Sequence, residues 1–210
     1  LCTQEQFIDT AHLSMDGRRL ATSGFRGNVI RIWDASNGKE LKTLGDDKMS
    51  IDCLSLSRDG GKLLAVMSFF DGGAFFWDTT TGKREFHHQH ENAQYSRSSQ
   101  ALTADATELL SLVSRKQLVF WEPATGKKRR SLEVPAGTIA STLSISPDGK
   151  RLALATSDKE VIILDATTGK EIVAFDVHDI PLGLVFSEQG NRLVICNGLA
   201  SGLVDVQAKK

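Results

Sequence analysis

The chain has 210 residues, 25 Lys+Arg against 26 Asp+Glu, and 4 prolines, and 40% of it is hydrophobic. That length and apolar share can bury a full core and exclude disorder, collagen and a disulfide-stapled miniprotein. A net charge of -1 gives no electrostatic ground for nucleic-acid or anionic-membrane binding, and no stretch approaches the ~18 apolar residues that a membrane span needs.

Taken in chain order, one pattern returns five times. Unit one, near residues 7–44, carries the acidic turn Asp16-Gly17, then Trp33-Asp34, then Gly38-Lys39. Unit two, 51–87, repeats it as Asp59-Gly60, Trp77-Asp78 and Gly82-Lys83. Unit three, 95–134, reads Asp105-Ala106, Trp121-Glu122 and Gly126-Lys127. Unit four, 139–175, reads Asp148-Gly149, Leu164-Asp165 and Gly169-Lys170. Unit five, 182–210, runs through Ser187-Glu188-Gln189-Gly190 and places Gln207 at the Trp position. The Trp or Leu positions of the first four units lie 44, 44 and 43 residues apart. A fixed period of this length is the mark of a repeat architecture.

Unit four shows what one copy folds into. Apolar, β-branched runs at 142–145, 151–156, 161–164 and 171–175 are separated by turn sequences such as Ser146-Pro147-Asp148-Gly149. No segment has a 3.6-residue apolar period, so the expectation is about nineteen strands and almost no helix. A four-stranded sheet of this size cannot bury both faces alone. Copies must stack face to face, which is a β-propeller.

The units resemble WD repeats in their bacterial style, on Ser146-Pro147-Asp148-Gly149-Lys150-Arg151-Leu152-Ala153 and Trp77-Asp78-Thr79-Thr80-Thr81-Gly82-Lys83. The resemblance covers the whole chain. It implies a single all-β domain over 1–210, made of five four-stranded antiparallel blades, with Trp33, Asp34, Trp77, Asp78, Trp121, Leu164 and Asp165 as structural repeat positions. Since such propellers have seven or eight blades, it also implies a partial, open arc of a larger one; a compact five-blade ring is the alternative. The family's Gly-His pair is missing. The Asp of its buried Asp-His-Ser/Thr-Trp tetrad survives at Asp71 and Asp158 but is Gly27, Arg115 and Ser201 elsewhere. Cohesion is therefore expected from strand pairing and from apolar packing of Phe76, Phe120, Ile163 and Phe186. The fourth strand of unit five is absent from the pattern, so edge-mediated self-association is expected.

The function implied by the resemblance is a non-enzymatic scaffold for a protein partner. The loops that meet on a WD propeller's binding face would hold Arg26, Asp47, Phe70, His88, Arg115, Asp158 and His178. No catalytic, cofactor or metal residue stands out. The cluster Phe86-His87-His88-Gln89-His90-Glu91 reads as a polar loop between units, against a two-imidazole zinc site lacking further ligands. Lys127-Lys128-Arg129-Arg130 reads as an edge strand protected by charge. The Gly-Lys pairs lack the spacing of a phosphate loop, and His12 reads as packed or rim-facing. The alternative is a propeller enzyme or sensor of the lactonase-like or quinoprotein type, similar in Ile162-Ile163-Leu164-Asp165-Ala166-Thr167-Thr168-Gly169-Lys170. Quinoprotein repeats add a Trp after the Gly-Lys, where this chain has Leu41-Lys42-Thr43-Leu44 and Ile172-Val173-Ala174-Phe175.

Cys2, Cys53 and Cys196 are isolated and odd in number, so no disulfide framework or zinc knuckle is expected. The chain opens on Leu1 with no basic-then-apolar leader, which reads as a cut through a longer protein or a processed end, with a cytoplasmic location favoured.

Overall fold

The computed structural model describes residues 8–24, 29–45, 51–67, 73–89, 100–114, 117–135, 140–197 and 200–206. Among them every regular element is a strand. Sheet A holds β1 (Ile8–Leu13), β2 (Arg19–Gly24), β3 (Val29–Asp34) and β4 (Glu40–Gly45), and sheet B holds β5 (Ile51–Leu56), β6 (Lys62–Met67), β7 (Gly73–Asp78) and β8 (Arg84–Gln89). Sheet C follows with β9 (Gln100–Leu102), β10 (Leu109–Ser114), β11 (Gln117–Trp121) and β12 (Lys128–Glu133), then sheet D with β13 (Ala140–Ile145), β14 (Arg151–Thr156), β15 (Glu160–Asp165) and β16 (Glu171–Asp176). Sheet E has three described strands, β17 (Gly183–Phe186), β18 (Arg192–Asn197) and β19 (Ala200–Asp205). All neighbours are consecutive and antiparallel, the topology that tight turns impose. The nineteen described strands match the expected number.

Local chemistry explains the hairpins. At the turn after each first strand a hydroxyl does two jobs. Ser146 Oγ donates to Asp148 Oδ1 at 2.6 Å and accepts the Arg151 N–H at 2.9 Å. Ser14 and Ser57 repeat both bonds, while Thr103 and Ser187 keep the backbone half. In sheets A, B and D the turn after the third strand is closed by a carboxylate that gathers backbone N–H groups. Asp165 Oδ1 accepts from Thr167 and Thr168, and Asp78 Oδ1 from Thr80 and Thr81. In sheet C Glu122 takes this place and receives the Thr125 hydroxyl. Directly before the Trp position the pairing with the fourth strand slips by one residue in sheets A, B, C and D. This recurrent bulge twists the outer strand away from the sheet.

The chain divides into two compact units, one holding β1–β8 and the other β9–β19. In the first, Ala21, Ile30, Ile32 and Leu44 of sheet A pack on Leu54, Leu56, Leu63, Ala65, Phe75 and Trp77 of sheet B. In the second, Leu110, Leu112, Leu118 and Phe120 pack on Leu143, Leu152, Leu154, Ile162 and Leu164, and the far face of sheet D packs on Leu184, Phe186, Leu193 and Ile195. Phe120, Ile163 and Phe186 thus lie in these apolar seams, and Phe76 is buried in sheet B.

Arginines add a polar clamp that apolar patterning did not foretell. Arg19 donates to the Gly60 carbonyl at 3.2 Å and to Thr79 Oγ1 at 2.6 Å, tying sheet A to sheet B. Arg130 lies 3.5 Å from the Phe120 ring centroid and donates to the Ala166 carbonyl at 2.6 Å, tying sheet C to sheet D. The basic run 127–130 is therefore an edge strand from β12 onward, as expected, but Arg130 is a packed cation rather than a solvated one.

Two expectations need correction, and the three tryptophans are not equivalent. Trp33 and Trp77 are buried, but Trp121 is only half-buried: β11 ends at Trp121, whereas β3 and β7 run one residue further to their Asp, so the third indole sits at a strand terminus. The Trp position of unit five is Val204, not Gln207. Arg192 pairs with Asp205 as Arg151 pairs with Asp165, which places Val204 where Leu164 stands. The cause is a shorter stretch between the sheet D and sheet E turns, 41 residues from Ser146 to Ser187 against 43 from Thr103 to Ser146, and a β18–β19 hairpin one residue tighter than β14–β15. Finally, His87, His88 and Gln89 belong to β8, opposite Phe75, Ala74 and Gly73, and are not loop residues; strand pairing extends past Phe86.

His12 of β1 reaches sheet B, where its Nδ1 accepts the Leu56 N–H at 3.2 Å. That bond needs an unprotonated Nδ1, and loss of hydration on burial holds the imidazole below its ordinary 6.5. The stability it contributes is complete above the unfolded value and is lost as pH falls through the lowered folded value. A second loss follows in acid. The Thr81 N–H, with Lys62 and the Thr81 hydroxyl behind it, holds Asp78 down to about 2, and the Ser14 and Ser57 hydroxyls lower Asp16 and Asp59. Urea midpoints against pH should therefore fall in two steps, one beginning near 6.5 and one below 3.8. In His12→Gln, whose amide oxygen can accept from Leu56 without titrating, the first step should vanish and the second remain.

Candidate interaction face

The β14–β15 hairpin turns on Thr156, whose Oγ1 accepts the N–H groups of Asp158 at 3.3 Å and Glu160 at 3.2 Å. Lys159 sits at the tip with φ 62°, and this brings its backbone and side chain over the segment that follows β16. Its carbonyl accepts the Val177 N–H at 2.8 Å. Its Nζ donates to the His178 carbonyl at 3.1 Å and lies 3.7 Å from Asp179 Oδ1. The hairpin tip and the entrance to the last sheet are thereby joined on one rim.

Beyond Asp179 the chain carries Ile180, 43% exposed, and Leu182, 68% exposed, on either side of a buried Pro181. The Leu182 N–H donates to the Cys196 carbonyl at 2.7 Å. An anchored backbone thus holds two large apolar side chains in water, next to Asp158, Lys159, His178 and Asp179. The exposed Lys159–Asp179 pair is worth at most about 1 kcal/mol, so it orients the rim more than it stabilises it. Aliphatic anchors inside a charged border are the composition of a protein-docking patch rather than of a reaction centre.

Of the residues singled out from sequence, Asp158 and His178 come together here. Arg26, Asp47, Phe70 and Arg115 lie outside the described residues, and so does Asp71. His88 is the fifth residue of β8. Lys159, Ile180 and Leu182 were missed. Their signal was the apolar pair flanking Pro181 between two strand runs, where turn chemistry alone would have placed polar residues. Among the described residues, no group of three His, Cys, Asp or Glu side chains is placed to hold a metal ion, and no helix is long and apolar enough to cross a membrane.

Part of the family's buried hydrogen bonding is also present. Trp33 Nε1 donates to Thr22 Oγ1 at 2.8 Å and Trp121 Nε1 to Ser111 Oγ at 3.3 Å. The matching residue in sheet B is Ala65, and there Trp77 packs against Phe75, ring centroids 5.4 Å apart and planes tilted by 42°. Residues 100–196 match the model of the anaphase-promoting complex subunit 4 WD40 domain. Over 192 residues the chain is 31% identical to a WD repeat-containing protein WDS homolog of Arabidopsis thaliana, covering 87% of this chain and 35% of that protein. The chain belongs to the WD-repeat propellers.

The fold of this WD-repeat chain agrees. The crystal structure of the Cps50 (Swd1) β-propeller domain of Myceliophteria thermophila matches it with a TM-score of 0.73 at 19% identity, over 92% of this chain and 62% of that one. The chain spans about a third of the plant relative, 35% of its length. WD-repeat propellers commonly serve protein–protein interaction, and what a given one does rests on its own site.

Proposed function

We propose that this WD-repeat chain is a non-enzymatic interaction scaffold and that the rim built from Asp158, Lys159, His178, Asp179, Ile180 and Leu182 docks a protein partner. The observation that carries this reading is the pair Ile180 and Leu182, held exposed on a backbone fixed to β18. Desolvating such anchors is what gives interfaces most of their energy, with a surrounding charged border setting orientation.

A photo-crosslinking amino acid placed at 182 tests this in the native host, with 172, which is also exposed, as the control position. Adducts to one protein at 182 but not at 172 are expected, reduced about tenfold or more by Ile180→Asp. Because both side chains are at the surface, thermal stability should change by less than about 0.5 kcal/mol. Equal labelling at 172 and 182, or adducts indifferent to Ile180→Asp, would end the proposal.

A further inference from the structure

Two joints between neighbouring sheets are built from the same three positions and differ in charge. The first position opens the second strand, where Arg19 of sheet A and Glu108 of sheet C each give their N–H to the hydroxyl five residues earlier. The second lies on the outer strand, where Lys42 pairs with Ile32 and Arg130 with Phe120, the residues that precede Trp33 and Trp121. The third is in the turn of the next sheet, where Thr80 and Thr167 are exposed and give their N–H to Asp78 and Asp165. Between sheets C and D the charges cancel: Arg130 donates to the Ala166 carbonyl and meets Glu108 Oε2 at 3.3 Å. Between sheets A and B both side chains are cations. Arg19 Nη1 donates to Thr79 Oγ1 at 2.6 Å and lies 3.4 Å from Thr80 Oγ1, and Lys42 Nζ donates to the Thr80 carbonyl at 2.8 Å. Among the described residues neither cation forms an ion pair. The carboxylates of the two turns are already engaged, Asp59 by the Ser57 hydroxyl and the Gly61 N–H, and Asp78 by Lys62 and the Thr80 and Thr81 N–H groups.

We propose that Thr80 is a phosphorylation site and that Arg19 and Lys42 hold the phosphoryl group it receives. In the transfer, the Thr80 hydroxyl oxygen attacks the terminal phosphorus of a nucleoside triphosphate bound to a protein kinase. The bond to the bridging oxygen breaks, the nucleoside diphosphate departs with that electron pair, and the hydroxyl proton passes to the kinase's base. The product carries close to two negative charges at neutral pH and three strong acceptor oxygens. Those oxygens extend beyond Oγ1, within reach of the guanidinium whose Nη1 is 3.4 Å from it. A guanidinium receives phosphate through two N–H groups, and the Lys42 ammonium supplies the second positive charge. Two cations of sheet A then bind one dianion of sheet B, which closes that joint more firmly than bonds to neutral oxygens do. At Thr167 the same group meets a cation already paired with Glu108, so the sheet D turn gains nothing from it. None of the rim residues takes part, so this site is independent of the interface proposed above.

The test compares the chain carrying phosphothreonine at position 80, introduced by an expanded genetic code, with chains carrying it at 167 and at neither. By phosphorus NMR the group at 80 should titrate about 0.5–1 pH unit below the one at 167, because nearby cations favour its dianion. The urea midpoint should rise with phosphate at 80 and stay level or fall with phosphate at 167. Salt at about 0.5 M should remove most of the rise. Arg19→Gln and Lys42→Gln, each compared with and without the phosphoryl group, should reduce the gain whatever they do to the unmodified chain. Mass spectrometry of the protein from its host should find phosphate on Thr80. Equal titration at 80 and 167, a midpoint raised equally by both, a gain untouched by either substitution, or Thr80 unmodified in growing and in resting cells would each overturn the proposal.

Discussion

Replacing Trp77 with alanine is expected to destabilise the β1–β8 unit by about 3–5 kcal/mol. The indole is 3% exposed and lies in the seam between sheets A and B, among Ile30, Ile32, Leu44, Leu63 and Phe75. Its loss would remove the transfer free energy of the ring and leave a cavity that paired strands on both sides cannot close. Ala65 stands where the other tryptophans find a hydroxyl, so no hydrogen bond is forfeited and Trp77→Phe should cost less than about 1.5 kcal/mol. Trp33→Phe is different. It removes the 2.8 Å bond to the Oγ1 of buried Thr22 and should add about 1 kcal/mol to its packing loss. Urea denaturation of the three variants checks this; a Trp77→Ala effect below about 1 kcal/mol would mean that the seam is not packed as described.

Gly169→Ala should cost about 2–4 kcal/mol, and Gly149→Ala only about 1–2 kcal/mol. Both glycines close repeat turns in the left-handed region, with φ 72° and 71°. A β-carbon at 149 would meet nothing within 4 Å, while one at 169 would lie 2.8 Å from the Glu133 carbonyl oxygen at the end of β12. That oxygen belongs to backbone and cannot swing aside as a side chain can. The difference between two substitutions matched in φ therefore measures how closely the sheet D turn approaches sheet C. Equal losses in chemical denaturation would refute that approach.

The blades were legible because their turns carry the information. Asp-Gly and Gly-Lys at a fixed period mark most of the turns after the first and third strands, and the alternating runs between them set which face is buried. Trp121 and Val204 show where this stops. A period counted on Trp assumes equal strand and hairpin lengths, and a strand one residue short or a tightened hairpin changes burial or register without altering the markers. The arginine clamps were hidden for another reason. Arg19 and Arg130 look like ordinary surface residues in a one-dimensional pattern, and only the neighbouring sheet supplies the carbonyl each one needs. The rim was half legible. Asp158 and His178 followed from loop positions, but Lys159 joins them through its backbone carbonyl and a left-handed φ, which side-chain chemistry does not announce.

The Arg19 clamp has a consequence for how such a chain can lengthen. Its donor stands at the opening of a second strand, and its acceptor, the Gly60 carbonyl, belongs to the corresponding turn 41 residues later. Arg151 stands at the same place in sheet D, with its Nη2 3.0 Å from where a β-carbon on Gly190 would lie. A segment one repeat long that keeps both the arginine and the turn therefore carries the two halves of its own joint. Tandem duplication of such a segment yields a copy that already fits the end it is added to, and excision of one rejoins a donor to an equivalent acceptor. Change in the number of repeats can then precede any refinement of the seams, leaving substitution to specialise loops on units that already hold together.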